Sequence, residues 1–176
     1  LASDEAITSV LALPKTAREV KDLSLLMVTQ NGVVKKVAAQ SFLGVRRTGI
    51  IALKLKKGDT LFSAVPVEKG DTIMLASSRG QAIRFKESDV RVMGRGASGV
   101  RGIKLKSVEK IVGADVAPKS AKELHILSLS EKGYGKRTPL TEYKIQKRGG
   151  SGIKTAKVTP KTGPLIVANV VSSDDE

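Results

Sequence analysis

Apolar and polar positions along this chain fall into short runs, and the runs recur. Leu25-Leu26-Met27-Val28-Thr29 passes through Gln30-Asn31-Gly32 into Val33-Val34-Lys35-Lys36. Ile73-Met74-Leu75-Ala76-Ser77-Ser78 passes through Arg79-Gly80 into Gln81-Ala82-Ile83-Arg84. Ile126-Leu127-Ser128-Leu129-Ser130-Glu131 passes through Lys132-Gly133 into Tyr134-Gly135-Lys136-Arg137. Two such runs separated by a polar residue and a glycine predict a β-hairpin. Asn31-Gly32 is the strongest of the three signals, because a type I′ turn needs positive φ at both central positions.

Ten residues beyond each turn glycine stands a bulky apolar residue: Phe42, Val90 and Tyr143. A glycine-rich loop follows, then a run opened by Gly49, Gly99 or Gly152 and reaching Leu55, Leu105 or Val158. A last apolar strand closes each unit, at Leu61–Val65, Ile111–Ala114 and Leu165–Ala168. The period is about 50 residues, and four short strands in that length is the pattern of a propeller blade. The expected fold is all-β: a partial β-propeller of three four-stranded blades. It should form an open arc, since closed propellers need at least about four blades. A β-sandwich with look-alike strands is the alternative, and four features recurring in register argue against it. Ile7-Thr8-Ser9-Val10 matches a closing strand with no unit before it. Residues 1–22 are therefore expected to hold the last strand of a preceding blade and a linker. The blades are expected over 23–68, 69–120 and 121–176. A chain opening on Leu1 rather than Met reads as a piece of something longer.

Charge adds a partner. The 31 Lys and Arg exceed the 17 Asp and Glu, for a formal net charge of +14. That predicts a polyanion, with nucleic acid the commonest and an acidic protein or anionic membrane surface the alternatives. The repeats place their cations alike. Four residues after each turn glycine the residue is basic: Lys36, Arg84, Arg137. Five residues after the second glycine it is Lys: Lys54, Lys104, Lys157. The neighbours of these lysines are apolar, so period-2 alternation points the ammonium groups outward. A solvated strand face is the bland reading for any single lysine. Six positions in register suggest a phosphate track. Aromatic residues are only 3% of the chain. Single-strand and RNA readers stack bases on such side chains, so bent duplex DNA held by its backbone is the expected ligand.

The loops add local signals. Arg91-Val92-Met93-Gly94-Arg95-Gly96-Ala97-Ser98-Gly99-Val100-Arg101-Gly102-Ile103-Lys104 interleaves glycine with cations, and so does Gln146-Lys147-Arg148-Gly149-Gly150-Ser151-Gly152-Ile153-Lys154. Glycine lets backbone approach a phosphate closely, and Arg95, Arg101, Lys147, Arg148 and Lys154 supply charge. At these residues, and over Ile7 to Val170 as a whole, the sequence resembles the C-terminal domain of the DNA gyrase A protein. The corresponding part of topoisomerase IV is the near neighbour. Arg84-Phe85-Lys86-Glu87-Ser88-Asp89-Val90-Arg91 looks like one family blade, and Gly133–Thr138 with Leu140–Tyr143 like another. The resemblance implies a β-pinwheel whose neighbouring blades exchange strands. It implies duplex DNA bent around a basic outer rim in support of ATP-driven negative supercoiling. The implied partners are duplex DNA, the gyrase B protein and the rest of the gyrase A protein, with no membrane and a bacterial cytoplasmic setting.

The family's hallmark box reads Gln-basic-Arg-Gly-Gly-basic-Gly. Gln146, Lys147, Arg148, Gly149, Gly150 and Gly152 match it, and Ser151 stands where a basic residue belongs. In the family the box belongs to the first blade, whereas here it lies in the third repeat. Whether this copy is the functional one is left open. The box-like loop favours gyrase over topoisomerase IV.

No catalysis is expected in this chain. His125 is the only histidine and sits between Leu124 and Ile126 in a strand, a structural position. There is no cysteine, which excludes disulfides and thiolate zinc sites. No Walker-type loop occurs. No cofactor and no metal are expected.

Overall fold

In a computed structural model, residues 7–11, 22–44, 48–173 and 175 are described. The three predicted hairpins form as expected. Strand β1 (Ser24–Thr29) pairs antiparallel with β2 (Val33–Ala38), β4 (Thr72–Ser77) with β5 (Gln81–Lys86), and β8 (His125–Ser130) with β9 (Gly135–Pro139). Gly32, Gly80 and Gly133 carry φ of 79°, 77° and 79°, a left-handed conformation open to glycine. The turn type expected at Asn31-Gly32 is corrected: Asn31 has no positive φ, so this is not a type I′ turn but a three-residue loop in which Gly32 N donates to Thr29 O (3.0 Å) and only the glycine is left-handed. The closing strands β3 (Leu61–Val67), β7 (Ile111–Ala117) and β11 (Leu165–Val171) add to the far sides of β1, β4 and β8.

The fourth strand is not where an ordinary blade puts it. Strand β6 (Val100–Arg101) comes from the second repeat and pairs with β2 of the first. Strand β10 (Ile153–Lys154) comes from the third repeat and pairs with β5 of the second. The sheet orders are β3-β1-β2-β6, β10-β5-β4-β7 and β11-β8-β9. Each complete sheet is thus finished by the repeat that follows it, which is the strand exchange of a β-pinwheel.

Exchange corrects several strand expectations. The runs opened by Gly99 and Gly152 hold a regular ladder for only two residues each. Beyond it, paired amides converge on single carbonyls. Gly102 and Ile103 both donate to Gly32 O (2.8 and 3.4 Å), and Thr155 and Ala156 to Gly80 O (2.8 and 3.3 Å). The run Gly49–Leu55 is not a strand, because the described residues hold no earlier sheet to receive it. Ile7–Val10 is irregular and exposed for the same reason: no hairpin among the described residues offers it an edge. The linker expected to follow it falls at residues 12–21, outside the described residues. The third sheet has three strands, since no following repeat among the described residues finishes it.

The cores lie between repeats. One joins Leu26, Val28 and Val34 of the first unit to Ile73, Leu75, Ile83, Phe85, Val90 and Ile103 of the second. The other joins Met74, Ala76 and Ala82 to Ile126, Leu140, Tyr143 and Ala168. Burying each large side chain contributes about 1.5–3 kcal/mol, so neighbouring repeats stabilise one another. Phe85, Val90 and Tyr143 are buried, whereas Phe42 is only half-buried.

Candidate nucleic-acid interface

The cations four residues past the turn glycines do not form a surface track. Lys36 is buried. Its ammonium is ion-paired with the Glu87 carboxylate and donates to Glu87 O (3.2 Å). Arg84 is half-buried, with Nε donating to Thr72 Oγ1 (3.0 Å) and Nη1 to Leu140 O (3.2 Å). Burial lowers the Arg84 pKa from its ordinary value. Glu87 and Leu140 each open the 3₁₀ turn of the next repeat. Lys36 and Arg84 are therefore the same device, a cation that reaches across the joint to a carbonyl of the following unit. Both are corrected from phosphate contacts to staples between sheets. Repeated position alone misplaces them because the next repeat covers what would otherwise be an outer face. Arg137, at the third equivalent position, is exposed and donates to Ser172 O.

The other series stays on the surface. Lys54, Lys104 and Lys157 are exposed, and so are Arg95, Arg101, Lys147 and Lys154. Arg101 and Lys154 ride on β6 and β10, the edge strands farthest from β3 and β7. In the second repeat the predicted alternation holds: Ile103 is buried, Lys104 exposed and Leu105 half-buried. In the third, Ala156 is half-buried and Val158 exposed. Among the described residues the ion pairs are Lys36–Glu87 and Lys147–Asp89. The edge-strand cations are outside both pairs.

The box-like loop is a clasp as well as a cationic loop. Gln146 N donates to Arg84 O (2.8 Å) and Gly149 N to Gly102 O (2.6 Å), while Gly150 O accepts from Lys104 N (2.8 Å). Arg148 is half-buried, with Nε donating to Asp89 O (2.8 Å) and Nη1 to Arg101 O (3.0 Å). Lys147 reaches Asp89 Oδ1 (3.2 Å) with its side chain 91% exposed, so solvent screens the pair. At Gly152, a Cβ would lie 2.3 Å from Ala82 O and φ is 71°, so only glycine fits.

Ser151, where the family pattern has a cation, is exposed and lines a cleft of about 480 Å³ with Arg79, Gln81, Lys104, Leu105, Lys106 and Glu109. Three cations from the second repeat therefore share this cleft with the serine. Buried Glu109 is occupied internally, accepting from Ser77 Oγ and from Lys106 N (2.7 Å). Sequence reasoning missed Arg79 and Lys106. The signal was present: Arg79 precedes a turn glycine, and Lys106 lies two residues beyond Lys104.

Lys35 is fully buried at the position that Ile83 fills in the second repeat. Its ammonium donates to Ala52 O (2.8 Å) and to Arg95 O. Burial lowers its pKa from the ordinary lysine value. It ties the glycine-rich loop that presents the exposed Arg95 side chain to the first sheet. His125 Nδ1 contacts Glu123 O (3.0 Å) at the start of β8. No cluster of metal-ligating side chains occurs among the described residues, and no helix among them is long and apolar enough to cross a membrane.

The chain matches the family model for the DNA gyrase C-terminal domain, a β-propeller, over residues 23–68, 71–118 and 124–172. It is 36% identical over 176 residues to the DNA gyrase A protein of Staphylococcus aureus (strain NCTC 8325 / PS 47), covering 100% of this chain and 20% of that protein. Among solved structures it is similar to a DNA gyrase A C-terminal domain, with a TM-score of 0.86 and 31% identity over 100% of this chain and 57% of that one. It is also similar to the C-terminal domain of DNA topoisomerase IV, with a TM-score of 0.79 and 25% identity over 86% of this chain and 47% of that one.

Proposed function

Because the chain belongs to the DNA gyrase C-terminal domain family of β-propellers, we propose that it binds duplex DNA along its outer edge and bends it without reading sequence. The observation that carries this is the pair of exchanged edge strands. Val100–Lys104 and Ile153–Lys157 each present two cations to solvent, Arg101 with Lys104 and Lys154 with Lys157, and no carboxylate among the described residues pairs with them. Successive sheets thereby repeat one cationic motif along the arc, as phosphates repeat along a duplex. Lysine and arginine contacts to the backbone position DNA and carry no base readout. In the whole gyrase A protein, acting with the gyrase B protein, the bend serves ATP-dependent negative supercoiling in the bacterial cytoplasm. This chain supplies binding and shape, uses no cofactor of its own, and leaves strand cleavage to other parts of the enzyme.

The test is the affinity of the chain for random-sequence duplex across a salt series. If about six to ten phosphates are neutralised, affinity should fall by roughly 10³–10⁵ between about 50 and 200 mM salt. A flat response, or strong preference for one site sequence, removes the proposal.

A further inference from the structure

The loops that close the two joints between repeats start alike. Met93 N donates to Lys36 O and Gln146 N to Arg84 O, each at 2.8 Å, so both loops dock on the preceding hairpin at the same point. Four residues before the glycine that ends each loop stands an arginine, Arg95 before Gly99 and Arg148 before Gly152. The two arginines hold one place in the repeat, yet their surroundings differ.

At the second joint the loop itself closes on the preceding repeat. Gly149 N donates to Gly102 O (2.6 Å), and Arg148 donates to Asp89 O (2.8 Å) and to Arg101 O (3.0 Å). At the first joint the carbonyl equivalent to Gly102 O is Ala52 O, and it accepts from Lys35 Nζ (2.8 Å). The same ammonium donates to Arg95 O, so one buried cation links the loop backbone to the earlier run. An ammonium this deep is tolerated only while it is hydrogen-bonded, so both carbonyls are held. Ile83 takes the place of Lys35 in the second repeat, and its side chain has nothing to donate. Arg95 is exposed, and its guanidinium makes no hydrogen bond or ion pair among the described residues.

We propose that Lys35 performs at the first joint the clasping that Arg148 performs at the second, and that Arg95 is thereby released to hold a DNA phosphate, a contact Arg148 does not make. Arg95 is then the group that touches the ligand and Lys35 a positioning residue, which rests on the duplex-binding function proposed above. Lys35 acts through the main chain: it binds the carbonyl of Arg95 itself and so fixes the root of the side chain that reaches out. A guanidinium on an anchored backbone loses less freedom when a phosphate orders it. The two look-alike loops are thus unlike in use. The second repeat's loop, which departs from the box pattern, meets DNA with its arginine. The box-like loop commits its arginine to the joint and offers Lys147 to solvent instead.

The test compares Arg95→Ala, Arg148→Ala and Lys35→Met by chemical denaturation, by titration of random-sequence duplex across a salt series and by amide hydrogen exchange. Arg95→Ala should leave the denaturation midpoint unchanged and lower the salt slope by about one. Arg148→Ala should lower the midpoint and leave the slope unchanged. Lys35→Met keeps the apolar stem and removes the ammonium. It should speed amide exchange over residues 94–98 while the β1–β2 hairpin stays protected. It should also reduce the bend angle of bound duplex, and Arg95→Ala added to it should reduce that angle no further. Equal salt slopes or equal midpoints for the two arginine variants overturn the proposal, as do unchanged exchange in Lys35→Met and additive losses of bend. Were Lys35→Met to misfold, the two arginine variants decide the matter alone. A flat salt response of the unmodified chain overturns the duplex-binding function and the release of Arg95 with it, and the two midpoints then still decide where the clasp lies.

Discussion

Lys36 of the first repeat and Glu87 of the second form a buried ion pair across the joint between two sheets. Its partner relationship is non-local, and it converts a residue that looks like a phosphate contact into part of the scaffold. Removing one partner of a buried pair costs roughly 3–5 kcal/mol, because it leaves the other charge uncompensated. Glu87→Gln and Lys36→Ala should each lower the midpoint of chemical denaturation by a corresponding amount. Replacing both with apolar residues of similar volume should cost much less. The salt slope of DNA binding should be the same for the folded single variants as for the unmodified chain. A lower slope for Lys36→Ala would put its ammonium back on the DNA.

Lys104→Ala and Lys157→Ala should behave in the opposite way. Both side chains are exposed, so stability should change by less than about 0.5 kcal/mol. Each variant should weaken duplex binding modestly and equally for all sequences, and lower the salt slope by about one. Titrations by fluorescence anisotropy at several salt concentrations separate this from a folding defect.

Lys147 and Arg148 are adjacent but are expected to differ. Arg148 holds Asp89 O and Arg101 O and so fixes the loop to the second repeat, whereas Lys147 extends into solvent. Arg148→Ala should reduce the DNA bend angle, read by energy transfer between labelled DNA ends, by more than it reduces affinity. Bending a site costs roughly 1–6 kcal/mol, which only contacts in fixed positions recover. Lys147→Ala should lower affinity and salt slope with the bend angle retained. Identical behaviour of the two variants would show that docking of the loop is irrelevant to bending.

Asp115, in the middle of β7, accepts from Val170 N (2.8 Å). Burial raises its pKa above the usual carboxylate value, and the Val170 bond lowers it by less. A carboxyl with a raised folded pKa binds more protons folded than unfolded, so its contribution favours folding at low pH. That contribution is complete below the unfolded value of about 3.9 and is lost as pH rises through the folded pKa. Asp115→Asn keeps an acceptor for Val170 N and removes the buried charge. At pH 7 it should be at least as stable as the unmodified chain, and its stability should vary less between about pH 4 and 7. Asn169 already fills the equivalent position on β11. Denaturation midpoints across that range test both statements.

The hairpins were legible because their signals are local. Asn31-Gly32, Arg79-Gly80 and Lys132-Gly133 sit between apolar runs and dictate the turn wherever the rest of the chain goes. The period gave the number of repeats for the same reason. What pattern could not supply was which sheet a run joins. Val100–Arg101 pairs with β2 of the preceding repeat, and nothing within the run specifies that partner. The misreading of Lys36 and Arg84 follows from it. Alternation tells which residues share a face, but only the position of the next repeat tells whether that face meets water. Lys35 makes the same point. It stands where Ile83 is core, and the neighbouring carbonyls of Ala52 and Arg95 make its burial tolerable.

Strand exchange also sets an order in time. A chain emerging from the ribosome makes its first hairpin early, but that hairpin keeps an unfinished edge until Val100–Arg101 has been synthesised. At ~5–20 residues per second, a repeat of about 50 residues takes roughly 3–10 s. Each nascent sheet therefore waits one repeat for its last strand, with β2 or β5 exposed as an adhesive edge. Neighbouring nascent chains on one message would be close enough to supply the wrong strand, so the pace of translation and chaperone cover bear on this fold more than on one whose sheets close within themselves.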